Sequence, residues 1–270
     1  MDPFKDRVAV ITGGAGGIGV AMAKAFAERG AKIVLADLDE PALAEAGRGL
    51  EKSGAEVLTV RTDVTRLESV EALAEAAVRR FGGVHVVCNN AGVATFGPIA
   101  RSTRKDWEFT MGVNFWGVVN GVQTFAPRLL AQGQSGHIVN TASMAGLVGM
   151  RWLGVYCASK FAVVGLSEAL FRELGRHGVG VSVLCPMIVD TRINENSARL
   201  RPRELANPGE AFVPPAAAMA GGVIAPDEVA RRVVRAVDRR DFYIFTHPEQ
   251  RDILRRRAAR QDRMFEPDLW

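Results

Sequence analysis

This sequence of 270 residues predicts a doubly wound α/β fold, in which a seven-stranded parallel sheet carries helices on both faces. Three observations point there. Short β-branched runs alternate with helical patterns along most of the chain. The runs are almost continuously apolar, as strands covered on both faces must be. A glycine-rich turn separates the first run from the first helical pattern.

Taken in order, the strand runs are residues 7–11, 32–36, 56–61, 84–88, 137–141, 179–184 and 242–245. Between them, apolar residues recur with helical period over 17–29, 40–53, 66–81, 104–130, 153–176 and 227–239. Right-handed crossovers between such strands place all seven in one sheet and one domain, residues 1–270. Sheets of this kind bind ligands beyond the C-terminal ends of their strands. Gly13, Asp37, Asp63, Asn90, Ser143 and Pro186 each follow a strand run. Residues 186–226 show no periodic pattern and are rich in Pro, Ala and Gly. Their place after the sixth strand predicts a lid over the site. Residues 248–270 read as a basic C-terminal helix or tail.

The composition, 48% apolar and 24% charged, is that of an ordinary globular chain. A charged start runs straight into the first strand, which leaves no room for a signal peptide. The longest uncharged run, 211–226, is broken by Pro214, Pro215, Gly221 and Gly222, so no membrane span is expected. Cys88, Cys157 and Cys185 are far apart and lack metal-ligand spacing. Neither disulfides nor a metal is expected, and a reducing cytoplasm fits. The pI near 9.2 traces to residues 251–263, whose six arginines and two aspartates equal the net charge of +4 of the whole chain. No aromatics interleave with these arginines, so a nucleic-acid partner is not expected.

Gly13, Gly17 and Gly19 form G-x-x-x-G-x-G, with Ile18 inside the motif. Such a turn lets backbone approach a pyrophosphate whose charge sits on a helix N-terminus. Asp37 ends the second strand, where an acid accepts hydrogen bonds from ribose hydroxyls and repels a 2′-phosphate. Leu38, Asp39 and Glu40 follow with no base among them, which favours NAD over NADP. Asp39 reads better as the cap of the next helix.

Tyr156 and Lys160 lie four residues apart, on one face of a helix. An ammonium beside a phenol favours phenolate and lowers a pKa that is ordinarily about 10. A phenol tuned in this way exchanges a proton with an alcohol oxygen near neutral pH. Ser143, upstream, offers a hydroxyl donor to the same oxygen. Oxidising an alcohol or reducing a ketone creates or consumes an alkoxide, and donors aimed at that oxygen lower the barrier. NAD would carry the hydride.

With these residues in place, the chain resembles the short-chain dehydrogenase/reductase family over about residues 5–247. The resemblance rests on Thr12-Gly13…Gly17-Ile18-Gly19, Asp63-Val64, Asn89-Asn90-Ala91-Gly92, Asn114, Ser143, Tyr156…Lys160 and Pro186…Thr191. It implies a single-domain Rossmann fold with Ser143, Tyr156, Lys160 and Asn114 as the catalytic set. By resemblance, Asp63 beside Val64 binds the adenine amino group, and the Asn90-Ala91-Gly92 backbone lines the adenine ribose. Asn114, ill suited to the interior of an apolar helix, helps relay protons to Lys160. Lys160 also holds the nicotinamide ribose, while Thr191, with Pro186 and Ile188, meets the nicotinamide. Met187 departs from the family, most of whose members have glycine there, and so reshapes the pocket.

Met144, Trp152 and Met187 lead a mostly apolar set of pocket candidates that includes Phe96, Leu147, Val148, Met150 and Leu153. The lid adds Phe212, Val213, Met219, Val223 and Ile224. This lining favours a bulky hydrophobic or aromatic secondary alcohol or ketone, and residues 137–146 resemble members that oxidise large aromatic or terpenoid alcohols. Helices 104–130 and 153–176 resemble those through which the family pairs subunits, which implies a homotetramer or homodimer. Two other readings share the glycine turn. One is an NAD-retaining epimerase or dehydratase, whose relatives carry a longer C-terminal domain; the other is a non-catalytic NAD-binding protein, whose relatives tend to lose Tyr or Lys.

Overall fold

The structure, a computed structural model, describes residues 2–208, 212 and 222–265. Val8–Thr12 (β1) turns into Gly17–Ala27 (α1), followed by Lys32–Asp37 (β2), Glu40–Lys52 (α2), Val57–Arg61 (β3), Leu67–Phe81 (α3) and Val86–Asn89 (β4). Then come Arg104–Met111 (α4), Gly117–Ala131 (α5), Gly136–Thr141 (β5), Gly154–Leu174 (α6) and Val179–Cys185 (β6). The chain continues through Ile188–Val189 (β7), Ile193–Arg199 (α7), Val223–Ile224 (β8), Pro226–Arg239 (α8), Tyr243–Phe245 (β9) and Gln250–Asp262 (α9).

The expected seven-stranded parallel sheet is present, in the order β3-β2-β1-β4-β5-β6-β9. From β1 the chain runs outward to β3 and then returns to the other side of β1 at β4. The strand order therefore reverses between β1 and β4, and this is where an open α/β sheet leaves a crevice.

Alternate side chains of each strand face opposite layers. Ile11 and Leu35 pack with Met22, Phe26, Leu43 and Val233 on the face covered by α1, α2 and α8. Val10 and Val34 pack with Leu73, Phe125 and Leu129 beneath α3 and α5 on the other. Fully burying one such large side chain contributes about 1.5–3 kcal/mol. Helix α6, extended to His177, is long and apolar enough to cross a membrane by composition alone. Here it is a core helix, with Val155, Val163, Val164, Leu170 and Leu174 buried.

Two stretches differ from the sequence expectation. Residues 104–130 are not one regular helix, because Gly112–Trp116 widens into a π turn between α4 and α5. The segment after β6 has regular structure of its own. Strands β7 and β8 pair, α7 follows β7, and Arg203–Leu205 forms a 3-10 turn. The lid candidates Val213 and Met219 lie outside the described residues.

His137 in β5 is 4% exposed and shares a 2.7 Å hydrogen bond with the Ser182 hydroxyl. It faces Gly180, where a Cβ would fall 2.3 Å from its Nδ1, so only glycine leaves room for the ring. Burial, reinforced by the charge of Arg240, pushes His137 down to about 3. The unfolded chain, with an ordinary value near 6.5, then binds the proton first as pH falls. The stabilising contribution is complete above about pH 6.5 and is lost on the way down to pH 3. Between pH 7 and 5, His137→Gln should remove about 2 kcal/mol of the acid-induced loss of unfolding free energy. Equal pH slopes for the two proteins in denaturant titrations would contradict this.

Candidate active site

The crevice is built from strand ends. At the β1 end, Thr12 Oγ1 accepts from the backbone N–H groups of Asn90 (2.9 Å) and Ala91 (3.1 Å). Asn90 Nδ2 donates back to the carbonyls of Thr12 (3.0 Å) and Gly13 (3.4 Å), and Thr141 Oγ1 donates to Asn90 Oδ1 at 3.3 Å. The turns after β1, β4 and β5 are thereby tied into one rim.

Helix α1 opens directly on this rim. Its N-cap, Gly16, has no side-chain hydrogen bond, and no acid stands in the first turn. The free N–H groups and the positive end of the helix dipole suit an anion. Gly19 cannot carry a side chain, since a Cβ there would lie 2.0 Å from the Gly13 carbonyl oxygen. Ile18 packs sideways against the core, and Gly17 lies against Thr191 of the β7–α7 segment. The cradle fits a dinucleotide pyrophosphate.

Asp37, at the end of β2, accepts from the backbone N–H groups of Ala15 and Asp39, both at 3.0 Å. Its carboxylate thus braces the glycine turn and the start of the β2–α2 connection beside Leu38. Asp39 caps α2 by accepting from Ala42 N, as its sequence position predicts. It also pairs with Arg199 of α7, which sequence reading missed. Burial works against the Asp39 carboxylate, but hydrogen bonds from Arg199 and Ala42 and the charges of Arg199 and Arg192 hold its pKa below the usual range. The expectation that no base stands beside the β2 end therefore needs correction, because the fold delivers one from 160 residues downstream. Asp63 Oδ1 is held by Thr65 N and Thr65 Oγ1, on the rim of a cavity that Arg61, Arg66 and Ser69 also line. Val64 is buried, and its carbonyl takes the Asn120 amide at 2.8 Å.

Ser143, Tyr156 and Lys160 converge at the β5 end. The Ser143 hydroxyl contacts the Pro186 carbonyl at 3.4 Å, caps Ala145 N at 3.1 Å and shares a hydrogen bond with Tyr156. Lys160, 2% exposed, donates to the Thr141 carbonyl at 2.9 Å, with its Nζ 5.6 Å from the centroid of the Tyr156 ring. Gly92 passes close by, since a Cβ there would sit 3.5 Å from Lys160 Nζ. The π turn explains Asn114. It swings this residue inward, where it accepts from Val93 N (2.8 Å) and donates to Val93 O (2.9 Å) and Ser159 Oγ (3.1 Å).

The phenol is not acidified in this arrangement, contrary to the sequence expectation. Burial pushes Tyr156 up to about 12, with the Ser143 hydrogen bond pulling the other way. Burial also brings Lys160 down to about 8. Desolvation of both groups outweighs the spacing argument, and the ammonium spends a hydrogen bond on a carbonyl instead of on the phenol.

Pocket candidates divide. Met144 is fully buried behind Ser143, and its sulfur accepts from Gln250 Nε2 at 3.4 Å, so it backs the pocket wall and is not on its surface. Met187 is half-buried, its N–H 3.4 Å from Thr246 Oγ1, while Ile188 forms β7. Trp152 adopts φ +62°, a left-handed conformation rare for a bulky residue and a mark of functional sites. Its carbonyl takes Gly97 N at 2.8 Å, and its indole lies 6.3 Å from the Phe212 ring.

A family model for short chain dehydrogenases matches residues 7–201. The chain belongs to the short-chain dehydrogenase/reductase family. A solved short-chain dehydrogenase/reductase from Burkholderia phymatum, in complex with NAD, superposes on this one with a TM-score of 0.91 at 42% identity. The match covers 99% of this chain and 98% of that one. The CLA biosynthesis dehydrogenase/reductase of Lactiplantibacillus plantarum is 35% identical over 96% of this chain and 94% of its own. The C alpha-dehydrogenase of a Sphingobium species is 36% identical over 93% and 84%. This short-chain dehydrogenase/reductase is thus similar to oxidoreductases along nearly its whole length, the crevice included.

A methyl group at Gly19 forces the glycine turn apart. Gly19→Ala should weaken NAD binding by about tenfold or more in calorimetry. Wild-type affinity in that variant would show that the turn does not cradle the dinucleotide.

Proposed function

We infer that this enzyme interconverts a secondary alcohol and a ketone with NAD, using Tyr156 as general acid and base, on bulky hydrophobic or aromatic substrates. One observation carries the reading: a half-buried phenol hydrogen-bonded to Ser143, with a buried ammonium beneath its ring, at the rim of the glycine turn. When bound, NAD supplies the hydride acceptor and a second positive charge. Gly13, Gly17, Ile18 and Gly19 hold its pyrophosphate. Asp37, Leu38, Asp63, Val64, Asn90, Ala91 and Gly92 take the adenosine half, and Pro186, Ile188, Thr191 and Lys160 the nicotinamide half.

In ketone reduction the neutral phenol is the form present at pH 7, and it gives its proton from Oη to the carbonyl oxygen. Ser143 points its hydroxyl at the same oxygen and steadies the charge that develops there. In alcohol oxidation Tyr156 must first lose its proton, and the Lys160 ammonium is the group whose charge favours that loss. Asn114 fixes Val93 and Ser159 and so keeps the Lys160 turn of α6 in register with the crevice.

The carboxylate of Asp37 supports NAD over NADP by repelling a 2′-phosphate, and Arg199 is already engaged by Asp39. Trp152, Phe212 and Met187 support an apolar or aromatic substrate. The exposed side chains of Trp116, Leu130 and Phe171 support pairing of subunits through the α4–α5 and α6 faces, as a homodimer or homotetramer.

Tyr156→Phe keeps the ring and removes only the proton. It should lower kcat by about a hundredfold or more while leaving NAD affinity within about twofold. Stopped-flow turnover of an aryl carbinol would check the first and calorimetry the second. Near-normal turnover would refute the role given to Tyr156.

A further inference from the structure

The basic C-terminal segment has no part in the reaction described so far, yet it forms one wall of an open cavity of about 530 Å³. The floor and sides are Val148, Gly149, Ile253 and Ala259, and the charged residues lining it are Arg256, Arg260 and Arg263. Ile253, Arg256 and Arg260 recur at helical spacing along α9, and Arg263 continues the stripe in the 3-10 turn that follows. Like charges one turn apart repel each other. Other arginines in this chain find carboxylates, as Arg201 does with Asp106 and Arg232 with Glu228. Among the described residues, none of these three forms an ion pair, and the aspartates of α9, Asp252 and Asp262, do not line the cavity. The result is an apolar groove edged by three guanidinium groups that have no carboxylate partner among the described residues.

The groove is fixed to the site. Gln250, the first residue of α9, donates to Met144 Sδ and to the Cys185 carbonyl (2.7 Å), directly behind Ser143. Arg257 lies 5.6 Å over the ring of Phe161, the neighbour of Lys160. Val148 and Gly149 belong to the loop that joins Ser143 to Trp152. The start of α9 and the 144–152 loop therefore tie the arginine stripe to the strand ends that carry Ser143 and Pro186.

We propose that this groove binds the carboxylate end of an elongated apolar substrate whose alcohol or ketone sits at Tyr156. The assignment rests on the reaction inferred above and names its substrate class: hydroxy or keto acids with a hydrophobic body. Charge complementarity selects an anion, because a planar guanidinium fork matches a carboxylate with two parallel hydrogen bonds. Val148, Ile253 and Ala259 select an apolar body over a free inorganic ion. The groove is open to solvent, so the attraction must weaken with added salt.

The test uses the whole enzyme, with laurate and dodecanol as a matched pair of probes. Laurate should bind at least about tenfold more tightly than dodecanol in calorimetry, with an affinity that falls as sodium chloride is raised. The double variant Arg256→Gln/Arg260→Gln should abolish that preference. The same variant should raise KM for a long-chain hydroxy acid about tenfold, leaving kcat and the KM of its methyl ester unchanged. Equal binding of the two probes, or full laurate affinity in the double variant, overturns the proposal. Sedimentation with anionic vesicles without laurate binding overturns it too, in favour of a membrane-facing helix. If the enzyme turns over no alcohol or ketone at all, the reaction inferred above fails, and the calorimetric comparison still decides the groove.

Discussion

The buried ammonium of Lys160 is the constraint around which the crevice is organised. Taking a cation out of water is costly unless acceptors and packing surround it. The fold answers with the Thr141 carbonyl at the end of β5, with the Gly92 backbone alongside the ammonium, and with a glycine at 146 where a Cβ would strike the Lys160 carbonyl. The π turn carries Asn114 inward to lock Ser159, the residue preceding Lys160. These groups come from the turn after β4, the end of β5 and the turn after it, and the π turn between α4 and α5, so all of these must be in place before the lysine of α6 can be buried. Once it is, the phenol one turn earlier has a fixed position over the crevice.

The segment after β6 joins the two halves of that crevice. Thr191 lies against Gly17 of the glycine turn, Ser197 accepts the Ala94 N–H at 2.8 Å, and Arg199 reaches Asp39 beyond β2. Further on, Arg201 and Asn207 both donate to Asp106 Oδ1 at 2.8 Å, which anchors the segment to the capping box of α4. Hydrogen bonds and ion pairs tie it down, and the Phe212 ring lies against Trp152. The segment thus contacts the glycine turn through Thr191 and the start of α2 through Arg199.

Strands and most helices were legible because apolar period alone specifies them, and each strand-end residue singled out in the sequence does lie at or just past the C-terminal end of its strand. Helix 104–130 misled because a π turn preserves the apolar rhythm, and only the out-of-place Asn114 hints at it. Residues 186–226 lacked a readable period because their elements are only two to seven residues long. Arg199 and Asp39 could not be paired from sequence, since nothing local links them. The pKa of Tyr156 was misjudged for a related reason. Spacing reveals the neighbouring charge but not the desolvation, and here desolvation is the larger effect. Thr141 and Ser159 were passed over as site residues because a hydroxyl that braces backbone leaves no motif, and Thr12 entered only as the first residue of the glycine motif.

We infer that Tyr156 stays protonated until NAD binds beside it, and that the added charge, together with Lys160, then draws the phenolate into the working pH range. The chain has two tyrosines, so Tyr243→Phe leaves Tyr156 as the sole phenol. Carbon NMR of ring-labelled tyrosine in that variant reads its ionisation directly, with and without saturating NAD. The account predicts no phenolate up to about pH 10 without NAD, and a clear phenolate signal below that pH with it. A titration curve unmoved by NAD would contradict the account.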